Sequence, residues 1–179
     1  WCTDINLQEI TFNSESKYGF IAEYSDNITI SKCTFESIIV DAIYFAYTPK
    51  VSIDDSDISN CSYGVYAMVS SNTSIRMCRI NATTGVRISS SDFLSIQNCS
   101  FDTIQGIHLS DCNDANIEQC DLVFETIGVF TYHSRNTMIS SCHFHTPRII
   151  SNSNGCQIWT SFNQTISHCI FENLEFGLN

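Results

Sequence analysis

Three groups of side chains in this 179-residue sequence are close enough along the chain, or regular enough, to do chemistry. Asp54, Asp55 and Asp57 place three carboxylates within four residues, a set of hard oxygen donors that could hold calcium. Arg76 and Arg79 follow Asp54 and Asp57 by 22 residues each, so weak surface ion pairs are the simpler account of those acids. Asp121, His143, His145 and His168 form the second group. An acid beside imidazoles could serve acid–base catalysis or ligate a transition metal, with ordinary solvated side chains as the plainer reading. Ten cysteines make the third, among them Cys33, Cys78, Cys99, Cys120, Cys142 and Cys169. No two of the ten stand three apart, which leaves zinc the weakest use for them. Buried thiols and disulfides both remain open.

What must position these groups is a repeat. The phrase Ile96-Gln97-Asn98-Cys99-Ser100-Phe101 has eight registered copies, including Ile30/Cys33/Phe35, Ile75/Cys78/Ile80 and Ile139/Cys142/Phe144. A small residue followed by an apolar one recurs with it: Gly19-Phe20, Ala42-Ile43, Gly64-Val65, Gly85-Val86, Gly106-Ile107, Gly128-Val129, Gly155-Cys156 and Gly177-Leu178. From each small residue to the next Ile is 11 positions without exception, whereas the return leg varies from 10 to 16. A constant leg and a variable one indicate a solenoid whose insertions emerge on one edge.

Within the constant leg the first and third residues after the small one are mostly apolar and the second varies. This period of two means strand. The second position reads Ile21, Tyr44, Tyr66, Arg87, His108, Phe130, Gln157, and two residues further stand Tyr132 and Trp159. If outward, Tyr44, Tyr66, Arg87, His108, Phe130, Tyr132 and Trp159 form a flat stripe able to stack on sugar rings or a protein partner. Eight positions after the small residue comes a mostly turn-forming column, Asp4, Asn27, Lys50, Asn72, Phe93, Asp114, Asn136 and Asn163, which predicts a corner in every coil. Stacked coils lie about 4.8 Å apart, so the six cysteines Cys33, Cys78, Cys99, Cys120, Cys142 and Cys169 should form an inward ladder.

Composition narrows the function classes. The net charge is −11 with only eight Lys plus Arg, so no basic stripe is available for phosphates, and neither nucleic acid nor an anionic membrane surface is an expected partner. No apolar run reaches membrane-spanning length. Six glycosylation sequons begin at Asn27, Asn60, Asn72, Asn81, Asn98 and Asn163, slightly more than a Ser/Thr-rich chain produces by chance.

The pattern I-x-x-C-x-F, then G-[IV], then S-x-[ND], resembles the right-handed parallel β-helix repeats of the pectate-lyase-like superfamily, and it runs through essentially the whole chain. That resemblance implies an all-β, single-domain right-handed parallel β-helix over residues 1–179, with about eight coils of 21–27 residues. It also implies an exported protein, extracellular or at the cell surface. The superfamily includes polysaccharide lyases and glycoside hydrolases. Their opposed carboxylates, or calcium-binding acids with a poised base, cannot be carried onto residues here: Glu118 and Asp121 have no evident opposite number. The expectation from sequence is therefore a noncatalytic surface or structural protein with no required cofactor, calcium being the weak exception, and with a polysaccharide-active enzyme as the alternative. The first coil begins almost at Trp1, and Gly177-Leu178-Asn179 stops as a strand begins, from which the expectation is either end-to-end stacking of copies or a piece cut from a longer β-helix.

Overall fold

The strands follow from the alternation of the sequence, and their stacking follows from its constant leg. In the computed structural model, which describes residues 2–13, 15–148 and 151–179, every coil contributes one rung to each of three faces. The first face is an eight-stranded sheet of Thr3–Gln8, Asp26–Ser31, Val51–Asp54, Ser74–Arg76, Asp92–Gln97, Asn113–Glu118, Met138–Ser140 and Thr165–Ser167, all parallel to their neighbours. The second and third faces join into one sheet. In the central coils a single bent strand crosses from one to the other, as in Asp57–Met68, Arg79–Ser89, Ser100–Ser110 and Asp121–Tyr132, whereas nearer the ends it divides, as into Thr34–Glu36 and Asp41–Ala46. This is the parallel β-helix that the repeat implies, and no helix occurs among the described residues. None is therefore long and apolar enough to cross a membrane.

Each face contributes one or two apolar columns to the core. Ile30, Ile53, Ile75, Ile96, Ile117 and Ile139 line it from the first face; Phe35, Ile58, Ile80, Phe101, Leu122 and Phe144 from the second; Ile43, Val65, Val86, Ile107 and Val129 from the third, all buried. The glycines before this last column are required by space. None has a positive φ, but a Cβ on Gly64 would sit 2.5 Å from the Gly85 carbonyl oxygen, and one on Gly85 would sit 2.7 Å from that of Gly106 and from the Phe101 ring.

The predicted corner is present: Asp4, Asn27, Lys50, Asn72, Phe93, Asp114, Asn136 and Asn163 all have φ between 53° and 58°. Two further left-handed columns were not legible from residue type. Glu9, Lys32, Asp55, Met77, Asn98, Gln119, Ser141 and His168 form one, and Tyr24, Tyr47, Val69, Ser90, Asp111, His133 and Thr160 the other. Left-handed geometry costs a non-glycine residue roughly 1 kcal/mol or more, so something inside these corners must fix them.

That something is a pair of inward polar columns. At the corner after the third face, Ser70 Oγ donates to the Met68 carbonyl at 2.8 Å and accepts the Thr48 N–H at 3.1 Å; Thr48, Ser91 and Ser134 repeat the pattern. At the corner after the first face, cysteine takes the same place. Cys78 Sγ lies 3.2 Å from the Arg76 carbonyl oxygen and 3.6 Å from that of Ile53, and Cys99, Cys120 and Cys142 copy it. The two columns exchange members: Ser56 stands among the cysteines, Cys112 among the serines, each making the local bond of its column.

Candidate functional site

The register of the third face brings the outward stripe together in order. Ile21, Tyr44, Tyr66, Arg87, His108, Phe130 and Gln157 are cross-strand neighbours on successive coils. Met68, Ser89, Ser110, Tyr132 and Trp159 run beside them. The rings touch edge to face: Tyr44 and Tyr66 centroids are 5.6 Å apart, His108 and Phe130 4.7 Å, Phe130 and Trp159 5.5 Å. Edge-to-face contacts are the arrangement that ring quadrupoles favour. Tyr44, Tyr66, Arg87, His108, Phe130 and Tyr132 are partly buried, and Trp159 is 53% exposed at the far end.

Tyr63, which sequence reasoning passed over, completes the centre. It precedes Gly64 where the chain enters the third face, opposite Asp41 and Thr84 on the adjacent coils, and its ring lies 5.5 Å from that of Tyr66. Arg87 spans both, its guanidinium carbon 5.7 Å from the Tyr66 centroid and 6.0 Å from that of Tyr63, and its Nη1 donates to the Tyr63 hydroxyl at 3.5 Å. No carboxylate pairs with Arg87 among the described residues. On the next coil His108 is pushed down to about 4, first by burial and then by the charge of Arg87, so its imidazole is neutral at neutral pH. Burial, Glu23 and neighbouring tyrosines raise the Tyr44 hydroxyl above its ordinary value. Beside His108 lies a hollow of about 190 Å³ walled by Gln105, Ile107, Ile127, Phe130, Gln157 and Trp159.

A larger groove of about 750 Å³ follows the junction of the second and third faces. Its charged walls, Glu15, Asp102 and Glu125, are all acidic, so it repels anions where the Arg87 centre attracts them. Asp102 accepts from Asn81 Nδ2 at 3.2 Å.

The other candidate residues fall as follows. Asp54 takes Arg76 Nε at 2.7 Å and Ser52 Oγ at 2.6 Å; Asp57 takes Arg79 Nε at 2.6 Å and Nη2 at 2.8 Å. That fork lowers the Asp57 carboxyl below the usual range. Asp54 lies on the first face, Asp55 on the corner and Asp57 on the second face, so the corner turns these acids apart and the arginines occupy two of them. Asp121, His143 and His145 do meet, on the second face, while His168 stands on a corner outside that group. Cys33, Cys78, Cys99, Cys120 and Cys142 are buried and Cys169 is half-buried, all as free thiols. Burial pushes Cys112 up to about 11 and Cys61 up to about 12, which keeps those thiols protonated and inert. The sequon residues Asn27, Asn60, Asn72, Asn81, Asn98 and Asn163 are all exposed, and all except Asn81 sit at left-handed positions.

The sequence model described as the right-handed beta helix region matches residues 2–124. No curated protein matches the chain by sequence. Among solved structures, the A-module of the Azotobacter vinelandii mannuronan C-5 epimerase AlgE6 superposes with a TM-score of 0.76 at 13% identity, covering 94% of this chain and 58% of that one. A mutant of the periplasmic alginate epimerase AlgG gives 0.75 at 11% identity, covering 94% and 48%. The DFA-IIIase of Arthrobacter chlorophenolicus A6 gives 0.59 at 14% identity, covering 77% and 40%. The chain thus spans about half the length of the structures it resembles, and at these identities the likeness is one of fold.

Proposed function

The chain belongs to the right-handed β-helix family, and on that footing we propose that it acts on an acidic polysaccharide laid along the third face. The observation that carries this reading is Arg87 beside His108: a guanidinium without a carboxylate partner next to a neutral imidazole, in the middle of an aromatic stripe. Successive coils repeat the stripe at about 4.8 Å, close to the length of one sugar residue, so a polysaccharide meets a ring or a polar group at each step.

The chemistry follows from the charges. A uronate carboxylate pairs with Arg87, which removes one of the two causes holding His108 down and makes the imidazole a better base. His108 then takes the proton α to that carboxylate, and the electron pair left on carbon moves into the carboxylate, whose added negative charge Arg87 stabilises. Return of a proton from the other side inverts the carbon; loss of the β-substituent instead cleaves the chain. The hydroxyls of Tyr63 and Tyr66, whose rings lie under the Arg87 guanidinium, are the candidates to return that proton. The likeness to mannuronan and alginate epimerases supports this enzymatic reading over a noncatalytic surface role, and the periplasmic one among them supports export.

The test is incubation with polyuronates and neutral glucans, reading C-5 configuration by proton NMR and unsaturated ends by ultraviolet absorbance. Turnover should be confined to the polyuronates. Arg87→Gln should lose about 10² to 10³-fold and His108→Gln about 10²-fold or more, while Ser74→Ala on the first face changes nothing. Binding without turnover in the wild type would return the chain to the noncatalytic reading.

A further inference from the structure

We propose that Asp121, His143 and His145 on the second face form a binding site for a divalent transition cation of the zinc class. Their ligating atoms come from two adjacent coils: His143 and His145 flank inward Phe144 on one rung, and Asp121 is the cross-strand neighbour of His143 on the rung before. Asp121 Oδ1 lies 3.3 Å from His143 Nδ1 and 3.2 Å from His145 Nε2, and all three ligand atoms fall within 4.8 Å of one another. Tetrahedral ligands held about 2.1 Å from a zinc ion are about 3.4 Å apart, close to the two distances from Asp121 to the histidines.

A second observation separates this cluster from an ordinary surface pair. Nε2 of His145, the atom that faces Asp121, is shielded from solvent and has no hydrogen-bond partner among the described residues. Asp121 Oδ1 lies close to that nitrogen without a hydrogen bond, and the same oxygen faces Nδ1 of His143, so the three ligand atoms approach one another around a shared space. The two imidazoles are stacked with centroids 4.5 Å apart and planes 12° from parallel, so binding one ion requires both rings to turn about the soft second side-chain torsion until their planes converge.

Glu172, one coil further on, supplies the remaining part. Its Oε2 lies 3.3 Å from Nε2 of His143, the ring nitrogen that does not face Asp121, where a carboxylate drawn into a hydrogen bond would orient a metal-bound imidazole. Two nitrogens and one carboxylate suit zinc, nickel or copper and disfavour calcium, which takes oxygen. The ion ties Asp121 to His143 and His145 across one coil junction, with Glu172 bracing from the next. The coil so pinned carries the longest return leg, 16 positions from Ile139 to Gly155.

The test uses the whole chain with Cys2→Ser, because Cys2 is an exposed thiol that would compete for metal. Calorimetric titration with zinc chloride should show one equivalent bound and a raised melting temperature; cobalt(II) should give a tetrahedral spectrum without a thiolate charge-transfer band. His143→Gln and His145→Gln should each weaken binding at least about 30-fold and Glu172→Gln about tenfold, whereas His168→Gln leaves it unchanged. These side chains are partly exposed, so metal-free melting temperatures should stay within a few degrees; if a histidine variant melts lower, Asp121→Asn replaces it. Absence of saturable binding at zinc up to about 100 µM, binding that survives loss of either histidine, or a thiolate band would each overturn the site.

Discussion

The first and third faces share one backbone plan and differ in what they show to solvent. Both stack in parallel at the same coil spacing, and both turn branched aliphatic residues inward, Ile30 through Ile139 on one, Ile43 through Val129 on the other. Outward, the first face presents Asn6, Thr29, Ser52, Ser74, Ser95 and Asn116, all small polar side chains, with Ser52 bonded to Asp54. The third presents Tyr44, Tyr66, Arg87, His108 and Phe130. Inward columns therefore decide the fold and outward columns are free to carry chemistry. The faces separate the two demands because a strand alternates them residue by residue.

The sharpest way to break the comparison is through the backbone of the third face. Gly85→Val forces a Cβ to within 2.7 Å of the Gly106 carbonyl oxygen and the Phe101 ring, and should cost about 3 kcal/mol or more in urea unfolding. Ser74→Val, outward on the first face, should stay within about 0.5 kcal/mol. Equal losses would mean that the two faces are not built as described.

Titration gives a second contrast, since the strongly shifted acid and imidazole both belong to the third face. Asp41 is buried at the start of its rung, with Oδ1 lacking a hydrogen-bond partner among the described residues, and burial pushes its carboxyl up to about 6 against the opposing pull of Lys17. The folded state thus holds a proton that the unfolded state has released between about 3.8 and 6, and the associated stability is lost as pH rises through 6. Asp41→Asn should stabilise the protein by roughly 2 kcal/mol at pH 7.5 and by nothing near pH 3.5. His108 works in the opposite sense. Its folded value of about 4 lies below the unfolded 6.5, so the folded state binds fewer protons in between and loses stability as pH falls through that window. His108→Gln should therefore gain on the wild type as pH drops from 6.5 to 4, measured as the difference in melting temperature. A difference independent of pH would remove the desolvated imidazole from the account.

The fold was legible because inward residues repeat. Eight copies of the Ile, Cys and Phe phrase, seven of them starting eleven positions after a Gly or Ala, fix register and coil number, and the Asn/Asp column marks one corner. The other two left-handed corners escaped notice because Tyr24, Met77, Val69 and Thr160 are poor residues for that geometry. They are held by hydroxyl and thiol columns facing inward, which residue type at the corner itself does not reveal. The outward stripe was legible as a list but not as a centre: Tyr63 lies outside the two columns read from sequence, and the neutral state of His108 depends on burial and on Arg87 across a coil. Likewise Asp54 and Asp57 read as neighbours along the chain, yet a corner turns them onto different faces. Glu172 reaches His143 only because the coils stack.

The smallest expected effect concerns the corner columns. Since Ser56 already stands among the cysteines and bonds the Asp54 carbonyl at 2.8 Å, Cys99→Ser should cost about 1 kcal/mol or less. Alkylation of the native protein should label Cys2 rapidly and the buried thiols only after denaturation without reductant.

Oxidative footprinting with and without a polyuronate oligomer tests the placement of function on the third face most directly. Tyr24 and Tyr47 serve as internal controls, exposed at a corner and stacked 4.8 Å apart, outside the stripe. The account predicts that the oligomer protects Tyr44, Tyr66, Tyr132 and Trp159 while Tyr24 and Tyr47 react as before, and that Arg87→Gln abolishes the protection. Protection of the corner pair instead, or of none of these rings while the oligomer is demonstrably bound, would contradict it.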